Sequence, residues 1–243
     1  MEKVSQNANN SSQKIKTMLA LAFGYFIDQG EGQAMSVLFP VLQKLWGLSY
    51  SNLGLIGTIR SLLQALSSPF WGFAADRMSR KKVIIFGTGI WGIWTAVCGL
   101  TQNFGQLLVI RAISGLGLGC LLPATFSLMS DMFPPKQRGK ALGIMEAIGV
   151  LGIIISTVSL GMLATETLWR YGFFLLGGMS MVTGLVVWIL VKEPVRGAAE
   201  PELKGIITEE AASKYRAQFK DVFRVLRIPT IWVAILQGLA GTM

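Results

Sequence analysis

Histidine is absent from this 243-residue chain, and only two cysteines are present. The first absence excludes imidazole proton relays, so a side chain that carries protons here must be a carboxylate. Cys98 and Cys120 both lie inside apolar runs, which argues against a structural disulfide or a metal site. Charge is scarce as well, at 14% of residues, where a soluble domain of this length carries about a quarter. What fills the space is apolar: 52% of residues are hydrophobic and the mean hydropathy is +0.54. The 28 glycines are of the kind that lets helices approach closely in a bilayer. Length alone would allow one or two soluble domains, but this composition describes a single membrane bundle.

The net charge of +9 could suggest a nucleic-acid partner. The basic residues, however, fall in short clusters between apolar stretches instead of along one face, which excludes that class. The polar, Asn/Ser-rich opening has neither the short apolar core nor the cleavage site of a signal peptide. Residues 1–16 are therefore expected to be a disordered cytoplasmic tail.

About 20 apolar residues span the roughly 30 Å hydrocarbon core. Six stretches qualify, near 17–40, 50–71, 83–101, 106–130, 139–163 and 171–191. A seventh begins near Ile228 and is cut off at Met243, so 228–243 is expected to be a truncated start of a further span, in a fragment or a truncated gene product. The six-span bundle, 17–191, is followed at 192–227 by a segment charged in both signs, read as a cytoplasmic linker with an amphipathic helix. Lysine and arginine set the orientation. The tail, the turn after the second span, the turn after the fourth and the linker together hold eighteen of the 22. The opposite loops hold only Lys44 and Arg170. The N-terminus and linker are thus expected to be cytoplasmic, in a multi-pass protein of the plasma or inner membrane.

Two motifs carry mechanism. Directly after the second span runs Gly72-Phe-Ala-Ala-Asp76-Arg77-Met-Ser79-Arg80-Lys81-Lys82. It resembles the signature loop of the major facilitator superfamily, G-x-x-x-D-R-x-G-R-R/K, with Ser79 in place of the second glycine. The resemblance implies the N-terminal half of an all-α transporter fold, whose partner bundle of six further helices is missing here. It also implies a latch: Asp76 meets a helix of the other half, and the arginines bond to an acid ending the fourth span, a role for which Asp131 is placed. Arg138 and Glu146 are candidates for the same cytoplasmic network, Glu146 with the cavity as its alternative. The second motif, Arg111-Ala-Ile-Ser-Gly115-Leu-Gly117, resembles the family's R-x-x-x-G-x-G pattern. The ending Glu193-Pro194-Val-Arg196-Gly197 is similar to that of Spinster-like and organic-anion branches.

Arginine within a span normally faces a cavity or an acidic partner. The candidate partners are Asp28 and Glu31, three residues apart on one helix face. By helical rise, Arg111 lies near the depth of Glu31 and Arg60 near that of Asp28. Two acids and two arginines at matching depths suggest a buried charge network. Asp28 is the expected proton carrier, with Arg111 or Arg60 switching between it and a substrate; a permanent salt bridge bracing the bundle is the plainer alternative. Glu31 could instead be solvated in an outer vestibule. The sequence contains no nucleophilic triad or phosphate loop, and the Gly115–Gly119 run lies mid-helix instead of after a strand, so it binds no dinucleotide. The expectation is a non-enzymatic secondary carrier, without cofactor or metal, whose partners are a small-molecule substrate, protons and the lipid bilayer. A non-transporting sensor or scaffold on the same fold is the alternative class.

Overall fold

The computed structural model describes residues 2–194, with backbone alone for 2–11, and beyond them only positions 199, 227, 228 and 230. The expected linker over 192–227 and the span start over 228–243 therefore lie almost wholly outside the described residues. The chain divides into two units, Met1–Gly205 and Ile206–Met243, and every element below belongs to the first.

Six helical rods follow one another, with no strand among the described residues. They are α1 (Glu2–Trp46), α2 (Tyr50–Arg77), a third rod made of α3 (Arg80–Ile84), a π-helix (Ile85–Ile90) and α4 (Gly92–Cys98), a fourth made of α5 (Phe104–Leu118) and α6 (Leu121–Met132), then α7 (Pro135–Leu163) and α8 (Trp169–Leu190). Each covers one of the six apolar stretches. Three of them, Phe104–Met132, Pro135–Leu163 and Trp169–Leu190, are long and apolar enough to cross a membrane by length and composition. The first two rods are more polar along their length, and Asp28, Glu31 and Arg60 sit in them.

The ends are set by local chemistry. Gly47, at φ 65°, ends α1 in the left-handed region, and the Leu48 N–H returns to the Gln43 carbonyl at 3.2 Å, the bond of a Schellman cap. Ser49 and Asn52 form a capping box at the start of α2, and the Asn103 side chain accepts from the Gln106 N–H at 3.0 Å at the start of α5. Pro135 opens α7, where its missing N–H costs nothing. The fourth rod breaks at Gly119–Cys120 because Pro123 has no N–H for the Gly119 carbonyl. α1 begins at Glu2, within the segment read from the sequence as a tail. Once the apolar part of α1 is fixed, extending it costs no new nucleation, and the Gln13 amide donates to the Leu190 carbonyl at 2.8 Å.

Packing is by small residues. α1 lies along α7 and α8, α2 along α5, and α4 with the π-helix along α8. At the last crossing a methyl added to Gly89 would lie 2.5 Å from Gly184 Cα, and one added to Gly152 would lie 2.3 Å from the Phe26 carbonyl oxygen. Two apolar clusters result. One gathers Ala20, Leu21, Tyr25, Ala75, Val83, Ile84, Leu121, Leu128 and Met145; the other gathers Leu38, Phe39, Ile56, Cys98, Leu107, Leu160, Trp169 and Phe173. Along α1 the first ends at Tyr25 and the second begins at Ala34. Between those limits lie Asp28 and Glu31.

Candidate functional site

The layer between the two apolar clusters holds the polar residues of several rods. From α1 it receives Asp28 and Glu31, from α2 Arg60, from the third rod Thr88 and Thr95, and from α5 Arg111 and Ser114. The structure sorts the four charges into two unlike pairs. Glu31 and Arg111 are each 1% exposed and form an ion pair at 3.4 Å. The same Glu31 oxygen accepts from the Thr95 hydroxyl at 2.8 Å, and the Arg111 guanidinium lies 5.1 Å from the centre of the Phe173 ring. Glu31 is thus enclosed, not solvated at a vestibule. Its Thr95 donor has no sequence signature, since an isolated threonine in a span is an ordinary residue.

Asp28 and Arg60 are only partly buried. They lie within electrostatic reach of each other, as Asp28 does of Glu31 and Arg60 of Arg111. No direct ion pair joins them, and Asp28 Oδ1 and Arg60 Nε are shielded from solvent without a hydrogen-bond partner. Arg111 Nε and Nη2 are in the same condition. A buried polar atom left unpartnered costs about 1–3 kcal/mol, so this layer holds unspent hydrogen-bonding capacity. Gly115 explains why Arg60 stands so near α5: a methyl there would lie 2.6 Å from the Arg60 carbonyl oxygen. Thr88 sits in the π-helix, a local widening found frequently at functional sites.

At the basic end of the rods a second cluster forms around Arg80, which is 2% exposed. Its guanidinium pairs with Asp131 at the end of α6, donates to the Ser127 hydroxyl at 2.9 Å, and reaches Glu193 at 3.2 Å. Glu193 also accepts from the Arg80 backbone N–H at 2.9 Å and from the Ser79 hydroxyl, so the chain leaving α8 caps the start of α3. Burial would raise the Glu193 carboxyl, but these donors outweigh it and hold the group below the ordinary carboxylate range. Ser127 and Glu193 are absent from the sequence-derived site; Ser127 is one turn before Asp131, and Glu193 is in the quoted Glu-Pro ending. Asp76 is partly buried in the last turn of α2, with Arg77 exposed beside it and Lys81 partly covered. A methyl added to Gly72 would meet nothing within 4 Å. Arg138 donates to the Ser130 carbonyl at 2.8 Å. Glu146 does not join this cluster. It is exposed and accepts from the Tyr25 hydroxyl at 2.9 and 3.0 Å, because eight residues of α7, about 12 Å of rise, separate it from Arg138.

Comparison with known proteins agrees with this architecture. The family model of the Major Facilitator Superfamily matches residues 21–243. The chain is 30% identical to a probable 4-methylmuconolactone transporter of Cupriavidus pinatubonensis, over 68% of this chain and 39% of that protein. It is also 30% identical to the quinolone resistance protein NorA of Staphylococcus aureus, over 77% and 50%. Its fold matches a bacterial homologue of the human lysosomal transporter Spinster, in the inward-facing and unoccupied conformation, with a TM-score of 0.69 at 26% identity, covering 82% of this chain and 48% of that one. The proton:xylose symporter XylE shares the fold alone, with a TM-score of 0.67 at 15% identity over 84% and 52%. The chain spans about half the length or less of these curated relatives. With the family model covering all but its first 20 residues and its helices superposing on two carriers, the chain belongs to the Major Facilitator Superfamily of multi-pass membrane proteins.

Proposed function

We propose that this chain forms the N-terminal bundle of a proton-coupled secondary carrier, which moves a small molecule by alternating access as two bundles rock about a midplane site. The observation that carries the reading is the division of the charged layer. Glu31 and Arg111 are enclosed and already paired, so they brace α1 against α5. Asp28 and Arg60 are only partly buried and make no direct ion pair with each other, so they are the members of the layer placed to exchange partners. A carboxylate's proton affinity falls when a guanidinium approaches and rises when it withdraws. A substrate that draws Arg60 away from Asp28 therefore loads a proton onto Asp28, and its release returns the arginine and expels the proton. Of the two arginines considered as the switch, Arg60 is the one this arrangement favours.

The cytoplasmic N-terminus rests on the lysine and arginine asymmetry, and the Arg80–Asp131–Glu193 cluster lies on that basic side. We assign it, with Gly72, Asp76, Arg77 and Lys81, to the latch that holds this end of the bundle during the cycle. Glu146 leaves the latch and, with Tyr25, lines the face of α1 and α7 next to Asp28.

The test is flux. The complete gene product is reconstituted in vesicles holding a pH-sensitive dye and screened with organic anions, sugars, amphipathic drugs and lysolipids. Substrate-driven proton movement is expected in the parent. In Asp28→Asn it is expected to vanish while substrate binding persists. Equal proton flux in the two proteins would place the carrier elsewhere, and substrate flux with no proton movement would end the coupling reading.

A further inference from the structure

Between α2 and the α3/π-helix segment runs an open groove of about 510 Å³, outside the charged layer. Phe70 and Trp71 of α2, with Met78 just after it, form one wall, and Phe86 and Ile90 of the π-helix form the other. Its aromatic rings touch in series, Phe70 on Trp71 with centres 5.6 Å apart and Trp71 on Phe86 at 5.8 Å. The Trp71 indole N–H is already spent on the Leu116 carbonyl at 2.6 Å, so the ring offers the groove only its apolar face. The one charged residue in the lining is Lys82, exposed, with Arg77 and Lys81 in the same turn. Arg80 of this turn is bonded to Asp131 and Glu193.

We infer that this groove is a binding site for an anionic phospholipid, its acyl chain along Phe70, Trp71, Phe86 and Ile90 and its phosphate at Lys82. The occupant must be apolar over most of its length, because the walls leave it no polar atom to bond. At one end it must carry net negative charge, because Lys82 stands there and its turn holds Arg77 and Lys81 against one acid, Asp76. A zwitterionic headgroup would bring a fourth positive charge to that end, which disfavours it. A basic pocket between helices at the membrane surface is the usual setting for an acidic headgroup, at about 1 kcal/mol for each lysine or arginine near it.

Trp71 supplies the probe. The complete protein is placed in vesicles in which either phosphatidylglycerol or phosphatidylcholine carries a brominated acyl chain, and tryptophan quenching is compared between the parent and Trp71→Phe. The part of the quenching lost with Trp71 reports the groove. It is expected to be several-fold larger with brominated phosphatidylglycerol, and Lys82→Gln should reduce that preference on the order of five-fold. Because Lys82 is exposed, this variant is expected to keep its fold, so the preference is read even if Trp71→Phe proves unstable. Equal quenching by the two lipids, or a preference unchanged in Lys82→Gln, would overturn the anionic site. No Trp71-dependent quenching with either lipid would mean that protein covers the groove, and would overturn lipid occupancy altogether.

Discussion

Glu31 and Arg111 are two full charges at 1% exposure, and stripping water from each costs several kcal/mol. Their attraction, the Thr95 hydroxyl and the Phe173 ring offset that cost only while both are present. Glu31→Gln or Arg111→Met alone is therefore expected to lose about 3–5 kcal/mol of stability. The double variant Glu31→Met/Arg111→Met, which leaves no orphaned charge, should recover most of it. Unfolding in detergent followed by tryptophan fluorescence checks this; a double variant as weak as the sum of the singles would mean the pair contributes more than mutual neutralisation. Glu193 gives the pH dependence. Its folded carboxyl is held below the ordinary range, so the unfolded chain binds the proton more readily and stability rises with pH. The contribution is whole above the unfolded value of about 4.3 and disappears as pH falls through the folded one. Glu193→Gln is expected to cost about 2 kcal/mol at neutral pH and to flatten the acid limb of a thermal-stability profile. The Glu31–Arg111 partnership was suggested by helical rise alone, because depth along a rod follows residue number. Which of two arginines meets which acid depends on helix rotation, and the sequence left that open.

At the scale of elements, the rods were legible because about 20 apolar residues per crossing leave little freedom in where a helix starts and stops. The π-helix at Ile85–Ile90 was not, since no residue there forbids an ordinary α-turn. Its register follows from neighbours: Gly87 faces Cys120, and Gly89 faces Gly184. Gly89→Ala is expected to cost about 2 kcal/mol or more by overpacking, because its new methyl would strike backbone, which cannot step aside. Gly57→Ala, where nothing lies within 4 Å, should instead be neutral or gain up to about 1 kcal/mol of helix propensity. Equal melting temperatures for these two variants would contradict the close crossing of the π-helix and α8. Glu146 shows the opposite failure. Its charge and its place near the basic end suggested the latch, yet the tight α1–α7 seam hands it to Tyr25 across the interface.

For the whole molecule, topology and coupling are separate questions. The buried Cys98 and Cys120 make the chain suitable for thiol mapping, as both are closed to reagents. A cysteine introduced at Gln102, in the exposed turn before α5, is expected to react with an impermeant maleimide on intact cells. One introduced at exposed Met78 should react only after permeabilisation. The reverse pattern would invert the orientation derived from charge. By itself the sequence determined the class, the six rods, their expected orientation and the identity of the charged residues. It could do so because hydropathy, helical rise and charge asymmetry are one-dimensional quantities that survive without a fold. Only the tertiary structure decided which charges pair in an enclosed site and which stay without a direct partner, and that Glu193 caps α3. Those outcomes depend on helix rotation and on small residues meeting across crossings, where a shift of one methyl group changes which side chains touch.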